Sequence, residues 1–519
     1  MKPLKSPALL YWLFLLLFIV GTLYLLLHIN YGLNIIDEGF NDYQAILLLN
    51  GQIPYKDFLD IYPPGQLYLD TLFLKIFNGN ILSLRMISAF TGSAMPLLSF
   101  ILMLKFTKSL WPSLATWLLC LSYGLSLSLL MPVYAWNAML LGGISFWFVL
   151  RFENSKNKLD ALIAGFFLGL CALFKQTIGA YYLLAYFLIA LIYWQQKWLS
   201  FKNIRCLIMH CFLGTLIIVS LCLLPIYWHS AYQDFLTQVI IFPLTLLKTQ
   251  PAWLYTPRPQ LVDLKNLITH LNVAFIPPWL YFFQLITIAL SLIVTVIGYL
   301  RHRINKWLVI MLVLTACSFL LNYERFSLLK VTTTLPYSII LMGLLCHELL
   351  IHLKHNRYKI IFNSFLCLVI LACSTIGVLL NQMAFPSSYF TTKNPIYPHV
   401  YISSDDAYKY LHLNQILEKL NTKGQYVFVY PYSPMYYIMF NLKNPTPYST
   451  LLSDQMINQN TVIQNLKSKK VRYLIYDQFY SVDGQSFAES FPIIQDYINS
   501  HYHIIASLGP KTAVWLINK

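Results

Sequence analysis

The stretch NIIDEGFNDYQAILLLNGQIPYKDFLDIYPPG, Asn34–Gly65, follows a long apolar run and carries five acids: Asp37, Glu38, Asp42, Asp57 and Asp60. A plain connection between membrane helices has no use for so many carboxylates. What they do, and on which side of a membrane they lie, decides how the rest of the chain is understood.

The preceding run, ALLYWLFLLLFIVGTLYLLLHI, is long enough to cross a bilayer. It has no small-residue cleavage site after it, so a retained helix is expected rather than a signal peptide. Similar runs recur along the first three-quarters of the chain. Of its 519 residues, 58% are hydrophobic and only 11% charged, with a mean hydropathy of +0.59. Soluble domains carry about twice that share of charge. The pattern predicts a polytopic α-helical membrane protein with about 11 spans, at 8–29, 82–104, 110–130, 136–150, 160–175, 177–194, 206–228, 277–300, 307–322, 331–351 and 360–382.

The formal charge of +16 would suggest a nucleic-acid partner in a soluble protein. Its distribution points instead to anionic lipid. With the N-terminus in the cytoplasm, sixteen basic residues fall on cytoplasmic segments: Lys2, Lys5, Lys105, Lys108, Arg151, Lys156, Lys158, Lys197, Lys202, Arg205, Arg301, Arg303, Lys306, Lys354, Arg357 and Lys359. The much longer connections on the other side are sparsely basic. By the positive-inside rule the N-terminus is expected in the cytoplasm, and the first loop and the C-terminal tail outside. Acids have little influence on topology, so their clustering in the first loop has another cause.

Two outside connections are long, about 30–81 and 229–276, and function should concentrate there. In the first, Asp37 can cap a helix from Glu38 to Leu49. YPPG makes a rigid turn, and a second helix runs over about Gln66–Phe77. Both are amphipathic enough to lie on the membrane surface. The chain divides into a membrane module, 1–384, and a small tail domain, 385–519. Helical and strand patterns alternate in the tail, which predicts an α/β fold. Nine cysteines lie in or at the ends of spans, without metal-type spacing. They are expected to be packing residues.

Asp37 and Glu38, as neighbours, diverge by about 100° on a helix and cannot easily converge on one atom. One can face a substrate while the other holds position: Asp37 as general base, Glu38 as support. The competing role for Asp37 is an ordinary helix N-cap. Asp57 and Asp60 could orient an acceptor, contact a divalent metal, or pair with Lys56. Outside cations are few, so Lys175 in FKQT, Arg258 in TPRPQ, and Arg325 and Lys330 in NYERFSLLKVTTTLP are candidates to hold a phosphate. At a helix end they could equally snorkel to lipid headgroups. The spans hold almost no ionisable residue near mid-depth, which disfavours a proton-coupled transporter. No phosphate-cradling glycine loop, zinc pattern or local serine-hydrolase motif is present.

An Asp-Glu pair just after the first span, followed by GQIPYKDF and YPPGQLY, resembles the membrane glycosyltransferases of the C-type fold (GT-C). The resemblance is to the branch of protein O-mannosyltransferase-like, aminoarabinose transferase-like and lipid A core galacturonosyltransferase-like enzymes. It covers Asp37–Tyr68 and extends more loosely to FKQT and YERFSLLKVTTTLP. It implies sugar transfer from a polyprenyl-phosphate donor to a lipid, glycan or protein acceptor on the outer face, with the family's first-loop Asp at Asp37. The aminoarabinose branch has Glu-Lys before its Pro-Pro; this chain has Ile61-Tyr62, with Asp60 one place earlier. That departure argues against aminoarabinose as the sugar.

Elementary chemistry agrees with such a reaction. An acceptor hydroxyl needs a base, while a departing phosphate needs charge stabilisation. A glycosidase would need two opposed carboxylates. The alternatives are a glycan polymerase or ligase using diphosphate-linked donors, and a non-enzymatic lipid or glycan transporter.

Overall fold

The computed structural model describes residues 7–123, 131, 133–249, 276–324, 327–352, 356–383, 388–390, 400–451, 457–477, 481–482, 485–508 and 512–518. Arg258 and Arg325 lie outside the described residues, as does all of 250–275 within the connection 229–276 that is expected to carry function.

Helices follow the apolar runs because a backbone in hydrocarbon must satisfy its hydrogen bonds within its own segment. After α1 (Pro7–Leu26) come α2 (Asp37–Leu49) and α3 (Gly65–Ile76) in the first loop. The bundle continues with α4 (Leu82–Thr107), α5 (Leu110–Tyr123), α6 (Tyr134–Ser155), α7 (Lys158–Phe174), α8 (Gln176–Gln195) and α9 (Phe201–Trp228). Later helices are Ile276–Leu300, Lys306–Phe319, Leu328–His352 and Asn356–Met383. Each of the eleven expected spans coincides with a helix. Among the described residues, eight helices are long and apolar enough to cross a membrane. The described parts of α5 and α7, and the apolar part of the last helix, are shorter.

The bundle packs through small residues, as helices in lipid do. A Cβ at Gly165 of α7 would collide with the Cys211 carbonyl of α9, and one at Gly214 with the Leu162 carbonyl, so the two backbones touch. Buried hydroxyls of α4 bond back into their own helix: Thr91 to the Ile87 carbonyl at 2.8 Å, Ser93 to Ala89 at 2.7 Å and Ser99 to Met95 at 3.0 Å. At the end of the bundle remote from the first loop, Lys306 pairs with Glu153, its ammonium 5.0–5.3 Å from the Tyr193, Trp198 and Trp307 rings. All nine cysteines are free thiols.

The C-terminal residues form two small hairpins, β1 (Ser388–Phe390) with β2 (Val400–Ile402) and β5 (Ser481–Val482) with β6 (Gln485–Ser486), and one mixed sheet. Its strands are β3 (Val427–Tyr430), β4 (Tyr473–Asp477), β7 (Tyr502–Ser507) and β8 (Thr512–Ile517), in the order β3-β4-β8-β7. β3 and β4 are parallel, as expected where the helix Gln459–Ser468 connects them. The remaining pairs are antiparallel. A short helix, Met435–Met439, was not anticipated.

α2 and α3 are the two amphipathic helices expected in the first loop. They pack against each other and beneath the C-terminal domain, sharing one core in which Tyr43, Ala45, Leu67 and Leu74 meet Leu413, Met435, Tyr436 and Ile438. Their polar residues Glu38, Asp42, Gln44, Gln66 and Asp70 are buried. The amphipathic pattern was right, but its polar face is covered by protein rather than water.

Candidate active site

Asn34 starts the site. Its side-chain oxygen accepts from Ile36 N at 3.0 Å and Asp37 N at 2.9 Å, so Asn34 satisfies the first amides of α2. Asp37 is therefore not needed as the cap. Its carboxylate is exposed and accepts a hydrogen bond from Asn34 Nδ2 at 3.2 Å.

Glu38 turns the other way. Its Oε1 lies 2.6 Å from Arg85 Nε and its Oε2 2.9 Å from Arg85 Nη2. The same Oε2 accepts from Asn34 N at 3.2 Å. Arg85, from the first turn of α4, spends its other donors on the carbonyls of Ile29 (2.8 Å), Tyr31 (3.2 Å) and Gly32 (2.8 Å). The guanidinium thus binds the turn between α1 and α2 into one piece. The forked geometry satisfies both charges in a dry site, the condition under which a buried pair is tolerated.

Asp37 opens onto a cleft of about 100 Å³, lined also by Ile36, Phe40, Asn41, Ile61, Tyr62, Met131, Val133, Tyr134, Leu329 and Tyr432. The Tyr62 and Tyr134 hydroxyls are 2.7 Å apart and their ring centroids 4.1 Å apart. Burial pushes the Tyr62 phenol well up, and Tyr134, Asp37 and Asp60 add to the shift, so the hydroxyl stays neutral. Lys175 sits in the break between α7 and α8, buried, with its ammonium 5.2 Å from the Tyr134 ring centroid. Lys330 is half-buried on the helix that supplies Leu329. Asp37, Lys175 and Lys330 therefore belong to the same corner of the molecule.

Asp57 and Asp60 do not face one point. Asp57 is exposed and accepts from Ile53 N at 2.7 Å, closing the turn of GQIPYKDF. Asp60 is buried and accepts from Tyr62 N at 2.9 Å. Burial raises its carboxyl to about 7, against the lowering effect of that backbone bond. Lys56 pairs with neither: its ammonium reaches the His229 carbonyl at 3.3 Å. Gln238 joins the two long connections, donating to Tyr55 O at 2.7 Å and accepting from Asp60 N at 3.0 Å. Among the described residues, no group of three or more His, Cys, Asp or Glu could hold a metal ion. The carboxylates near the cleft point apart, so the residues described do not fit a divalent cation.

Beneath the site lies a buried polar chain. Asp70 accepts from Gln66 at 2.6 Å, Gln66 accepts from Asn137 at 2.6 Å, and Asn137 accepts from Thr91. Asp42 is fully buried, and neither carboxylate oxygen has a hydrogen-bond partner. Burial pushes its pKa well above the usual carboxylate value, Glu38 and Asp70 raise it further, and Arg85 opposes them. Asp70 is raised well above normal for the same reason, burial.

Sequence reasoning missed Arg85, Tyr134, Tyr432 and Gln238. Only Arg85 left a readable signal, a single guanidinium near the start of an otherwise apolar span. The others are ordinary residues made important by what folds against them.

A helical bundle whose first loop is roofed by a C-terminal α/β domain is the architecture of GT-C membrane glycosyltransferases. The chain has that fold. ArnT from Cupriavidus metallidurans superposes over 98% of both chains, with a TM-score of 0.58 and 12% identity in the apo state. Bound to undecaprenyl phosphate, the same protein gives 0.57 and 10%, again over 98% of both. The oligosaccharyltransferase AglB from Archaeoglobus fulgidus, in complex with an inhibitory peptide and a dolichol-phosphate, gives 0.53 and 11%, over 91% of this chain and 70% of that one. A further AglB structure contains Zn and sulfate. No protein-family model and no curated protein sequence matches this chain.

Proposed function

We propose that this protein transfers a sugar from a polyprenyl-phosphate carrier to an acceptor hydroxyl at the outer surface of a bacterial inner membrane. The observation that carries this reading is the division of labour between two adjacent acids. Glu38 is tied into Arg85, while Asp37 stays exposed at the mouth of a cleft. The fold shared with proteins solved with undecaprenyl phosphate and dolichol-phosphate supports a lipid-phosphate donor.

In the reaction the acceptor oxygen attacks the anomeric carbon. The bond from that carbon to the phosphate oxygen breaks, and polyprenyl phosphate leaves. The acceptor proton passes to the Asp37 carboxylate, which makes the hydroxyl a competent nucleophile. Lys175 and Lys330, with Arg258 and Arg325, supply positive charge for the leaving phosphate. Asp60 and Asp57 shape the loop that holds Tyr62 and thereby the acceptor side of the cleft. A single displacement inverts the anomeric centre.

On this reading residues 1–384 are the catalytic membrane module, with the N-terminus cytoplasmic, and residues 385–519 are the periplasmic domain. The test is release of polyprenyl phosphate from a labelled polyprenyl-phosphate sugar by the purified chain. Turnover should be lost in Asp37→Asn. Anomeric analysis by NMR should show inversion, and retention would refute the single displacement.

A further inference from the structure

The C-terminal domain does more than cover the cleft. Tyr432 lies between β3 and the helix Met435–Met439 and lines the cleft beside Asp37, Tyr62 and Tyr134. The segment carrying it is held at both ends. Leu451 N donates to Pro431 O at 3.1 Å, and Met435 N donates to Ile35 O at 3.3 Å, two residues before Asp37. Pro431 and Pro434 stiffen the stretch, with only Tyr432 and Ser433 between them. Tyr432 is half-buried and packs against the domain core that contains Phe428 and Tyr430.

The docking itself is close. A Cβ on Gly39 would lie 2.5 Å from Met435 N, so only glycine lets the domain backbone rest on α2. Gly32 N donates to Tyr401 O at 2.9 Å, Tyr401 N to Asn30 O at 2.8 Å, and Leu59 N to Pro447 O at 3.0 Å. The Tyr43 and Tyr437 rings stack at 5.0 Å. These contacts flank Asp37 in sequence on both sides, so Tyr432 is set against it by a rigid frame.

Three tyrosines from three separate elements therefore meet at one small cleft whose remaining walls are mostly apolar. Aromatic faces match the C–H faces of a pyranose ring, and phenol hydroxyls and the Asn41 amide match its hydroxyls. We propose that Tyr432, brought in by the C-terminal domain, is the third wall of a sugar-ring subsite whose other walls are Tyr62 and Tyr134, and that it determines which sugar is accepted. The proposal rests on the reading of Asp37 as the reacting group. It assigns the ligand at this point of the cleft to the class of pyranosides, in preference to a peptide or an alkyl chain.

The test uses the full chain in lipid nanodiscs with methyl hexopyranosides as probes, read by saturation-transfer NMR. Transfer to the sugar ring protons is expected in the parent protein. Tyr432→Ala should weaken binding roughly tenfold, the scale of one lost aromatic face. Tyr432→Phe keeps the face and should retain both transfer and the parent thermal midpoint. Absence of transfer in the parent, unchanged transfer in Tyr432→Ala, or equal loss in both variants would overturn the subsite. Turnover of polyprenyl-phosphate sugar on the same preparations separates the two readings. Sugar binding that depends on Tyr432 without turnover removes the transferase reading, whereas turnover without Tyr432-dependent binding removes the subsite.

Discussion

Glu38 and Arg85 form a buried two-point ion pair, 2.6 Å at its closest, with side chains 1% and 2% exposed. Forty-seven residues separate them in sequence. Because the same guanidinium also holds three carbonyls of the α1–α2 turn, the pair sets where α2 begins and hence where Asp37 points.

Breaking that pair should be costly. Removing one partner leaves an uncompensated buried charge, worth about 3–5 kcal/mol. Glu38→Leu and Arg85→Leu are each expected to lower the thermal midpoint of the purified protein markedly. The double variant should recover much of the loss, because no lone charge remains. Single variants that melt with the parent would contradict this account.

Asp37 should behave in the opposite manner. It is exposed, and Asn34 satisfies the amides at the helix start. Asp37→Asn is expected to leave the melting curve unchanged while lowering transfer about 10²–10⁴-fold, the usual contribution of a general base. Radiolabelled donor turnover beside a thermal scan measures both. Near-normal turnover would return Asp37 to a local structural role.

Asp60 makes stability depend on pH. Its carboxyl is raised to about 7 in the folded chain, from 3.8. A raised acid favours the fold while protonated. Its contribution is complete below about 4 and is lost as pH rises towards 7, because the unfolded chain releases the proton first. Asp60→Asn can still accept from Tyr62 N and has no proton to lose. Its melting temperature should therefore fall less than that of the parent as pH rises from about 4 to about 7. Parallel curves would refute the assignment.

Asp42 is expected to be protonated at neutral pH, since burial and the neighbouring acids both disfavour its charge. Difference infrared spectroscopy should show a protonated-carboxyl stretch at neutral pH that is missing in Asp42→Asn. A spectrum identical in parent and variant would show that the group is ionised.

Gly39→Ala tests the docking of the C-terminal domain. The added methyl meets the Met435 backbone rather than a flexible side chain. Loss of stability and faster proteolysis between residues 384 and 400 should follow. A variant as resistant as the parent would mean that the backbones can part without cost.

The amino-acid sequence by itself determined the helical bundle. Apolar runs predict helices reliably because lipid offers a backbone no other hydrogen-bond partner. The eleven expected spans all coincide with helices, and the strands around VFVY, YLIYD and TAVWLI were legible from their alternation with helices. The acidic first loop, with Asp37 at the start of α2, was visible as well, because charge beside an apolar run has few structural excuses. Tertiary structure alone decided what each acid faces. Asn34 rather than Asp37 caps α2, Glu38 is neutralised by Arg85, Asp42 and Asp70 are buried, and Tyr432 reaches the cleft from nearly four hundred residues away. Secondary structure follows from local periodicity, but electrostatic environment depends on partners distant in the chain, and no local pattern encodes those.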